Sequence, residues 1–202
     1  EEGIYIDNWK IVENDIFQEN QIRKKLMSGN HPARSPSTNI ADLKAQIAAC
    51  KKGESELQKM VDKYGLKTVF QFQDLVCRNA ENAVRESIKT IKSTEISYQM
   101  DDDLSGAARQ IKIRLTPIEE NNSIEVDFSG TTMQLQSNYN APLPVTRAAV
   151  LYAFRILTGG NIPMNSGIMK PIKIKIPKAS MLSPDYPAAV IAGNVETSQA
   201  VT

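Results

Sequence analysis

The sequence predicts an α+β protein: a long antiparallel helical hairpin, then a mixed, largely antiparallel sheet that carries one buried helix. Three features lead there. Apolar residues recur at helical spacing through residues 40–92, the period changes from 3.6 to 2 after Ser93, and residues 145–157 are apolar on nearly every face. The chain divides accordingly into a helical region, 1–95, and an α/β region, 96–202.

Residues 1–14 read as an extended entry with Ile4, Ile6, Ile11 and Val12 as apolar anchors. A first helix is predicted over 15–27, burying Ile16, Phe17, Ile22 and Leu26. Gly29-Asn30-His31-Pro32 stops it, because glycine accepts a left-handed cap and proline does not continue a helix. After a polar loop, 29–38, Asn39 is an N-cap with Asp42 three positions on. Ile40, Leu43, Ile47, Cys50, Glu54, Leu57, Val61 and Tyr64 then alternate at spacings of three and four. That is one apolar seam on a helix roughly 37 Å long at ~1.5 Å per residue. Gly53 and Glu54 interrupt it, marking a bend or a gap. Gly65 closes this helix, and a second, over 67–92, sets Val69, Phe72, Val76, Ala80, Ala83, Ile88 and Ile91 toward one side. So short a link makes the two antiparallel neighbours, with Leu43, Ile47, Leu57 and Val61 buried against Val69, Phe72 and Val76. Cys50 and Cys77 lie at similar distances from the turn and read as reduced core thiols.

Strands are predicted within 109–128, where Ile111, Ile113 and Leu115 alternate with charged and polar residues, and Ile124, Val126 and Phe128 do the same beyond a turn at Glu119-Glu120-Asn121-Asn122. The buried helix, 145–157, ends at Gly159-Gly160. A half-exposed strand follows over 171–177 and a buried one over 188–192.

Composition excludes several classes of function. Lys plus Arg (24) nearly cancels Asp plus Glu (23), and the cations are spread along the elements, so no basic stripe exists for nucleic acid or an anionic membrane. No apolar run approaches the ~18 residues of a membrane span. The first residues lack the order of a signal peptide, and two cysteines make no disulfide framework, so a cytoplasmic location is expected. His31, Cys50 and Cys77 have no zinc-ligand spacing. Asp101-Asp102-Asp103 reads as a solvated turn before a hard-cation site. There is no nucleophile elbow, and neither Ser129-Gly130-Thr131 nor Thr158-Gly159-Gly160 has the spacing of a phosphate loop.

Polar loops beside apolar elements remain: Asn138-Tyr139-Asn140-Ala141-Pro142, Asn165-Ser166-Gly167, and Gly193 to Gln199. Such groups orient a small polar ligand or satisfy caps and turns. Asp127-Phe128-Ser129-Gly130-Thr131, Asn140-Ala141-Pro142-Leu143 with Thr146-Arg147-Ala148, Ile162-Pro163 with Asn165 and Gly167, Pro171-Ile172 with Ile176-Pro177, and Gly193-Asn194-Val195-Glu196-Thr197-Ser198-Gln199 resemble, in order, the motif series of the hydantoinase B family. The stretch from Asp42 to Ala49 resembles that family's central helix. The chain departs from the pattern at Ala200, where a basic residue is frequent, and at Ser137, where glycine is.

The resemblance implies the central piece of a longer subunit in an ATP-dependent enzyme that opens a cyclic amide (hydantoin, N-methylhydantoin or 5-oxoproline) or carboxylates a ketone such as acetone. It implies a nucleotide-binding hydantoinase A-type partner that holds ATP with Mg²⁺, a divalent metal on a part N-terminal to this one, and a hetero-oligomer or dimer. It assigns no metal ligand, cofactor or catalytic base to these residues. Asn138, Asn140, Asn194, Glu196, Thr197 and Ser198 are the residues expected at a substrate cleft. The contrasting reading is a scaffold or interface module without direct chemistry.

Overall fold

The computed structural model describes residues 4, 6–101, 109–160 and 162–202. Two compact units make up the chain, Glu1–Phe70 and Gln71–Thr202.

In the first unit, β1 (Val12–Glu13) and β2 (Ile16–Phe17) form a small hairpin, with Val12 opposite Phe17. Its two-residue turn is Asn14-Asp15, both at positive φ, 50° and 62°. This turn displaces the expected helix start at residue 15, since Asn and Asp tolerate the left-handed region that twists a tight hairpin correctly. Helix α1 therefore spans Glu19–Leu26. Helix α2, Pro36–Tyr64, begins three residues before the predicted cap, because Pro36 already has the φ of a first helical turn and lacks an N–H that would go unpaired there. It runs unbroken through Gly53 and Glu54. Helix α1 packs on its first turns, where Ile22 and Ile40 are buried and Glu19 accepts from Lys44 Nζ at 2.6 Å. Gly65 joins it to α3, Leu66–Ile88.

The expected burial of the seam is not found. Leu57 is 47% exposed, Phe72 63% and Val76 42%; of the facing residues only Val69 is buried. Cys50 is likewise exposed, not a core thiol. Alternating three-and-four spacing states which face of a helix is apolar, not what covers it.

In the second unit, the last turns of α3 bury Ala80, Val84 and Ile88, one stripe at i, i+4, i+8. The helix stops at Ile88, short of the expected 92, as Lys89, Thr90 and Ile91 tighten into i−3 bonds. A four-stranded sheet follows in the order β3 (Thr94–Gln99), β4 (Gln110–Ile118), β5 (Ser123–Asp127), β6 (Ile172–Lys175). The first three are antiparallel and β6 is parallel to β5, so the α+β class and the mixed sheet hold. Strand β3 was not expected from the sequence.

Register sorts the two faces. Ile113, Leu115, Ile124, Val126, Ile172 and Ile174 share the face that enters the core with Phe128 and Phe154. The other face aligns Glu95, Arg114, Asp127 and Lys175 in one row of alternating charge across all four strands. Arg114 Nη2 lies 2.6 Å from Glu95, and Lys175 Nζ lies 3.0 Å from Asp127.

Between β5 and β6 lies α4, Leu143–Thr158. It buries Thr146, Ala149, Val150 and Phe154 but exposes Tyr152, Ile156 and Leu157, so it is amphipathic, not buried all round. The expected strand at 188–192 is absent. Residues 188–190 are half-buried loop, leading to a 3₁₀ turn, Ala192–Asn194, and to α5, Glu196–Val201. The reason is visible in the bonding: Ala189 and Val190 carbonyls accept from Asn140 Nδ2 and the Asn194 amide, leaving no ladder to join.

Candidate functional site

Two polar loops meet ahead of α4 and α5. The Gly193 amide donates to the Asn138 carbonyl at 3.0 Å, and a Cβ on Gly193 would collide with the backbone of Asn140. Only glycine permits that approach. Asn140 is fully buried. Its Oδ1 accepts from the Leu135 amide at 2.8 Å, while Nδ2 donates to the carbonyls of Leu135, Ser137 and Ala189, each at 3.0 Å. One side-chain amide thus ties together two stretches of backbone, 135–140 and the loop at Ala189, neither of which has a strand there. Thr197, also buried, donates to the Tyr139 carbonyl at 2.6 Å, and Ser198 Oγ donates back to Asn194 and Val195 carbonyls at 2.9 and 2.8 Å. The third polar loop acts similarly: Asn165 Oδ1 accepts from the Gly167 amide at 2.8 Å, and Gly167 sits where a Cβ would strike the Cys77 carbonyl of α3.

Beside the framed loops opens a cleft of about 610 Å³, walled by Tyr98, Met100, Asp101, Tyr139, Glu196 and Gln199. The Tyr139 ring is held from behind. The buried Arg109 guanidinium stacks 4.2 Å from its centroid and Nη1 donates to the Asp101 carbonyl at 3.1 Å. The Met100 amide donates to the Arg109 carbonyl at 2.9 Å, fixing the end of β3 against the start of β4. Arg109 therefore anchors both the ring and the backbone of Asp101.

The wall combines two carboxylates, two phenols and a carboxamide. Carboxylates accept N–H donors, phenols and the amide nitrogen donate to a carbonyl, and ring faces suit a flat ligand. Ala200 contributes to the same wall. No group of three His, Cys, Asp or Glu able to hold a metal ion occurs among the described residues. Asp102 and Asp103 of the acidic run lie outside them; Asp101 is exposed and His31 stands in the other unit, also exposed. No described helix is long and apolar enough to cross a membrane.

Of the six residues expected at a cleft, Glu196 lines it. Asn138, Asn140, Asn194, Thr197 and Ser198 bond to backbone in the loops that frame it. Sequence reasoning passed over Tyr98, Asp101, Tyr139 and Gln199 as wall residues. Tyr139 and Gln199 sat inside flagged loops, whereas Tyr98 lies on the unrecognised β3.

The wider charges of this unit are settled by neighbours. Burial pushes the Asp127 carboxyl up, but hydrogen bonds from Ser129 and the Lys175 ammonium outweigh it and hold it below its ordinary value. Lys112 and Arg114 lower Glu95, and Arg85 with Lys170 lowers Glu81.

A family model described as Hydantoinase B/oxoprolinase matches residues 1–202. The chain is 38% identical to 5-oxoprolinase 1 of Arabidopsis thaliana, over all of this chain and 18% of that protein. It is 37% identical to the 5-oxoprolinase of Dictyostelium discoideum, over all of this chain and 16% of the other. The B-type subunit of a putative D-/L-hydantoinase from a Pseudomonas species is 31% identical over 79% of this chain and 29% of its own length. The chain thus spans less than a fifth of the 5-oxoprolinases it matches. The fold is that of the ATP-dependent caprolactamase from Pseudomonas jessenii, with a TM-score of 0.77 at 17% identity over 98% of this chain and 34% of that one. Nucleotide-free acetone carboxylase superposes with a TM-score of 0.69 at 15% identity over 92% and 26%. By a match along its whole length, this chain belongs to the hydantoinase B/oxoprolinase family.

Proposed function

We propose that the intact protein opens a cyclic amide in a reaction coupled to ATP hydrolysis, with 5-oxoproline as first candidate substrate, and that this chain supplies one wall of the substrate cleft. The observation that carries the reading is the agreement with 5-oxoprolinases over every part of the chain, at 37–38% identity, against 31% over a shorter span for the hydantoinase relative. In this reading ATP and Mg²⁺ are held by a hydantoinase A-type partner chain or segment and the divalent metal by another part of the protein, as the family resemblance implies.

In this reading Glu196 accepts the ring N–H, Gln199 donates to the ring carbonyl, and Tyr98 and Tyr139 flank the ring. Carboxylates at Asp101 and Glu196 favour the N–H edge of the ligand and repel an anionic group, so the carboxylate of 5-oxoproline points away from this wall. Asn140 and Thr197 are positioning residues that set Tyr139 and Glu196.

The test uses the full-length protein with its nucleotide-binding partner. ATP-dependent conversion of 5-oxoproline to glutamate, absent without ATP and absent with this chain alone, is the expected result. Carboxylation of acetone, with no opening of 5-oxoproline, hydantoin or N-methylhydantoin, would instead place the protein among the ketone carboxylases. Turnover by the isolated chain would contradict the assignment of ATP and metal to other parts.

A further inference from the structure

Arg109 stands where the strand pattern calls for an apolar residue. By alternation it continues the face of β4 that carries Ile111, Ile113 and Leu115 into the core. It is 1% exposed there, and the Met100 amide at the end of β3 donates to its carbonyl at 2.9 Å. Taking a guanidinium out of water on a core face is costly, and a well-packed apolar residue at such a place is often neutral or stabilising. Folding alone gives little reason for an arginine here. Its contacts give another. The guanidinium lies 4.2 Å from the Tyr139 centroid, and Nη1 donates to the Asp101 carbonyl at 3.1 Å. Tyr139 and Asp101 are both wall residues of the cleft. The backbone around Tyr139 is fixed separately. Its carbonyl accepts from Thr197 Oγ1 at 2.6 Å, the Asn138 carbonyl accepts from the Gly193 amide, and Asn140 is held by the bonds of its own buried carboxamide. What these bonds leave open is the turn of the ring about its side-chain torsions, and a flat guanidinium over one face closes it.

We propose that Arg109 is a positioning residue for the substrate: it holds the Tyr139 ring as a fixed platform whose cleft side receives the flat amide ring of the ligand, and it ties Asp101 to that platform. The inference rests on the assignment of this cleft to a cyclic amide. An aromatic wall ordered before the ligand arrives avoids the loss of rotamer freedom on binding, so the effect belongs in affinity and not in the chemical step. Lysine does not replace arginine in this role, since an ammonium carries a charge and donors but has no plane to lay against the ring.

The test uses the full-length protein with the nucleotide-binding partner proposed for it, and fluorine NMR of 3-fluorotyrosine placed at position 139. Without ligand, Arg109→Met and Arg109→Lys should both move the fluorine line, because both lose the stacked plane. With 5-oxoproline, both should raise KM about fivefold or more and change kcat less than about twofold. In a Tyr139→Leu background neither should raise KM further. The lysine variant, which keeps a donor for the Asp101 carbonyl, carries the test if the methionine variant does not fold. An unmoved fluorine line overturns the proposal, as does a native KM in the lysine variant. So does a rise in KM that persists in full on Tyr139→Leu, or a fall in melting temperature with KM unchanged. A fluorine line moved by both substitutions, in a protein that opens no cyclic amide, upholds the hold of Arg109 on the ring and sinks the cyclic-amide reading alone.

Discussion

The two units handle the same kind of apolar pattern in opposite ways. In Gln71–Thr202, alternating residues of β4, β5 and β6 lie under α3 and α4 side chains, and Phe128, Ile124 and Ile111 are almost wholly removed from water. In Glu1–Phe70 a longer and more regular pattern along α2 ends with Leu57, Met60 and Tyr64 about half exposed. Burial, not periodicity, converts apolar surface into stability, at roughly 25 cal/mol per Å² removed from water. The sheet unit should therefore carry most of the folding free energy, while the helical unit presents a surface that needs something else to cover it.

Substitutions break or sharpen this contrast. Phe128→Ala, in the sheet unit, should cost about 3–5 kcal/mol in denaturant unfolding, as for other fully buried aromatics. Asn140→Ala should come next, at about 3 kcal/mol, because it leaves a buried amide and carbonyls at the loop junction without partners. Asp127→Asn should cost about 1–2 kcal/mol near neutral pH. Since its folded-state pKa is depressed, its contribution is complete above the ordinary carboxylate range near pH ~4 and fades as pH falls through the lowered value. Acid titration of the Asn variant should lack that part of the decline. Leu57→Ala, measured on dilute single chains, should change stability by less than about 0.5 kcal/mol, as at other exposed sites, where the seam as first read from the sequence would demand a loss of about 2–5 kcal/mol. A large loss there would erase the distinction between the units.

Much of this was legible before the structure. Period two at Ile111 to Leu115 and at Ile124 to Phe128 located β4 and β5, and three-and-four spacing located α2 and α3, because side-chain direction follows backbone geometry directly. The failures have physical causes. Asn14-Asp15 made a tight turn that helix periodicity does not register. Ala188-Ala189-Val190 reads as a strand by composition, but Asn140, far away in sequence, takes the carbonyl that a ladder would need. Thr94–Gln99 has only Ile96 and Tyr98 on its apolar face, too few to announce an edge strand. The loops flagged for their polarity include Tyr139, Glu196 and Gln199, which line the cleft. Their polarity did not distinguish Asn140 and Thr197, whose polar atoms bond to backbone, from Glu196, which faces the cleft.

That last distinction is open to one direct measurement. In the full-length protein with the nucleotide-binding partner proposed for it, turnover of the proposed substrate, 5-oxoproline, and the melting temperature should be followed together for Glu196→Gln. The cleft wall described above predicts a loss of about tenfold or more in kcat/KM, the size of a charge-assisted hydrogen bond removed, with the melting temperature unchanged. Unchanged turnover, or a loss that merely tracks a fall in melting temperature, would contradict it.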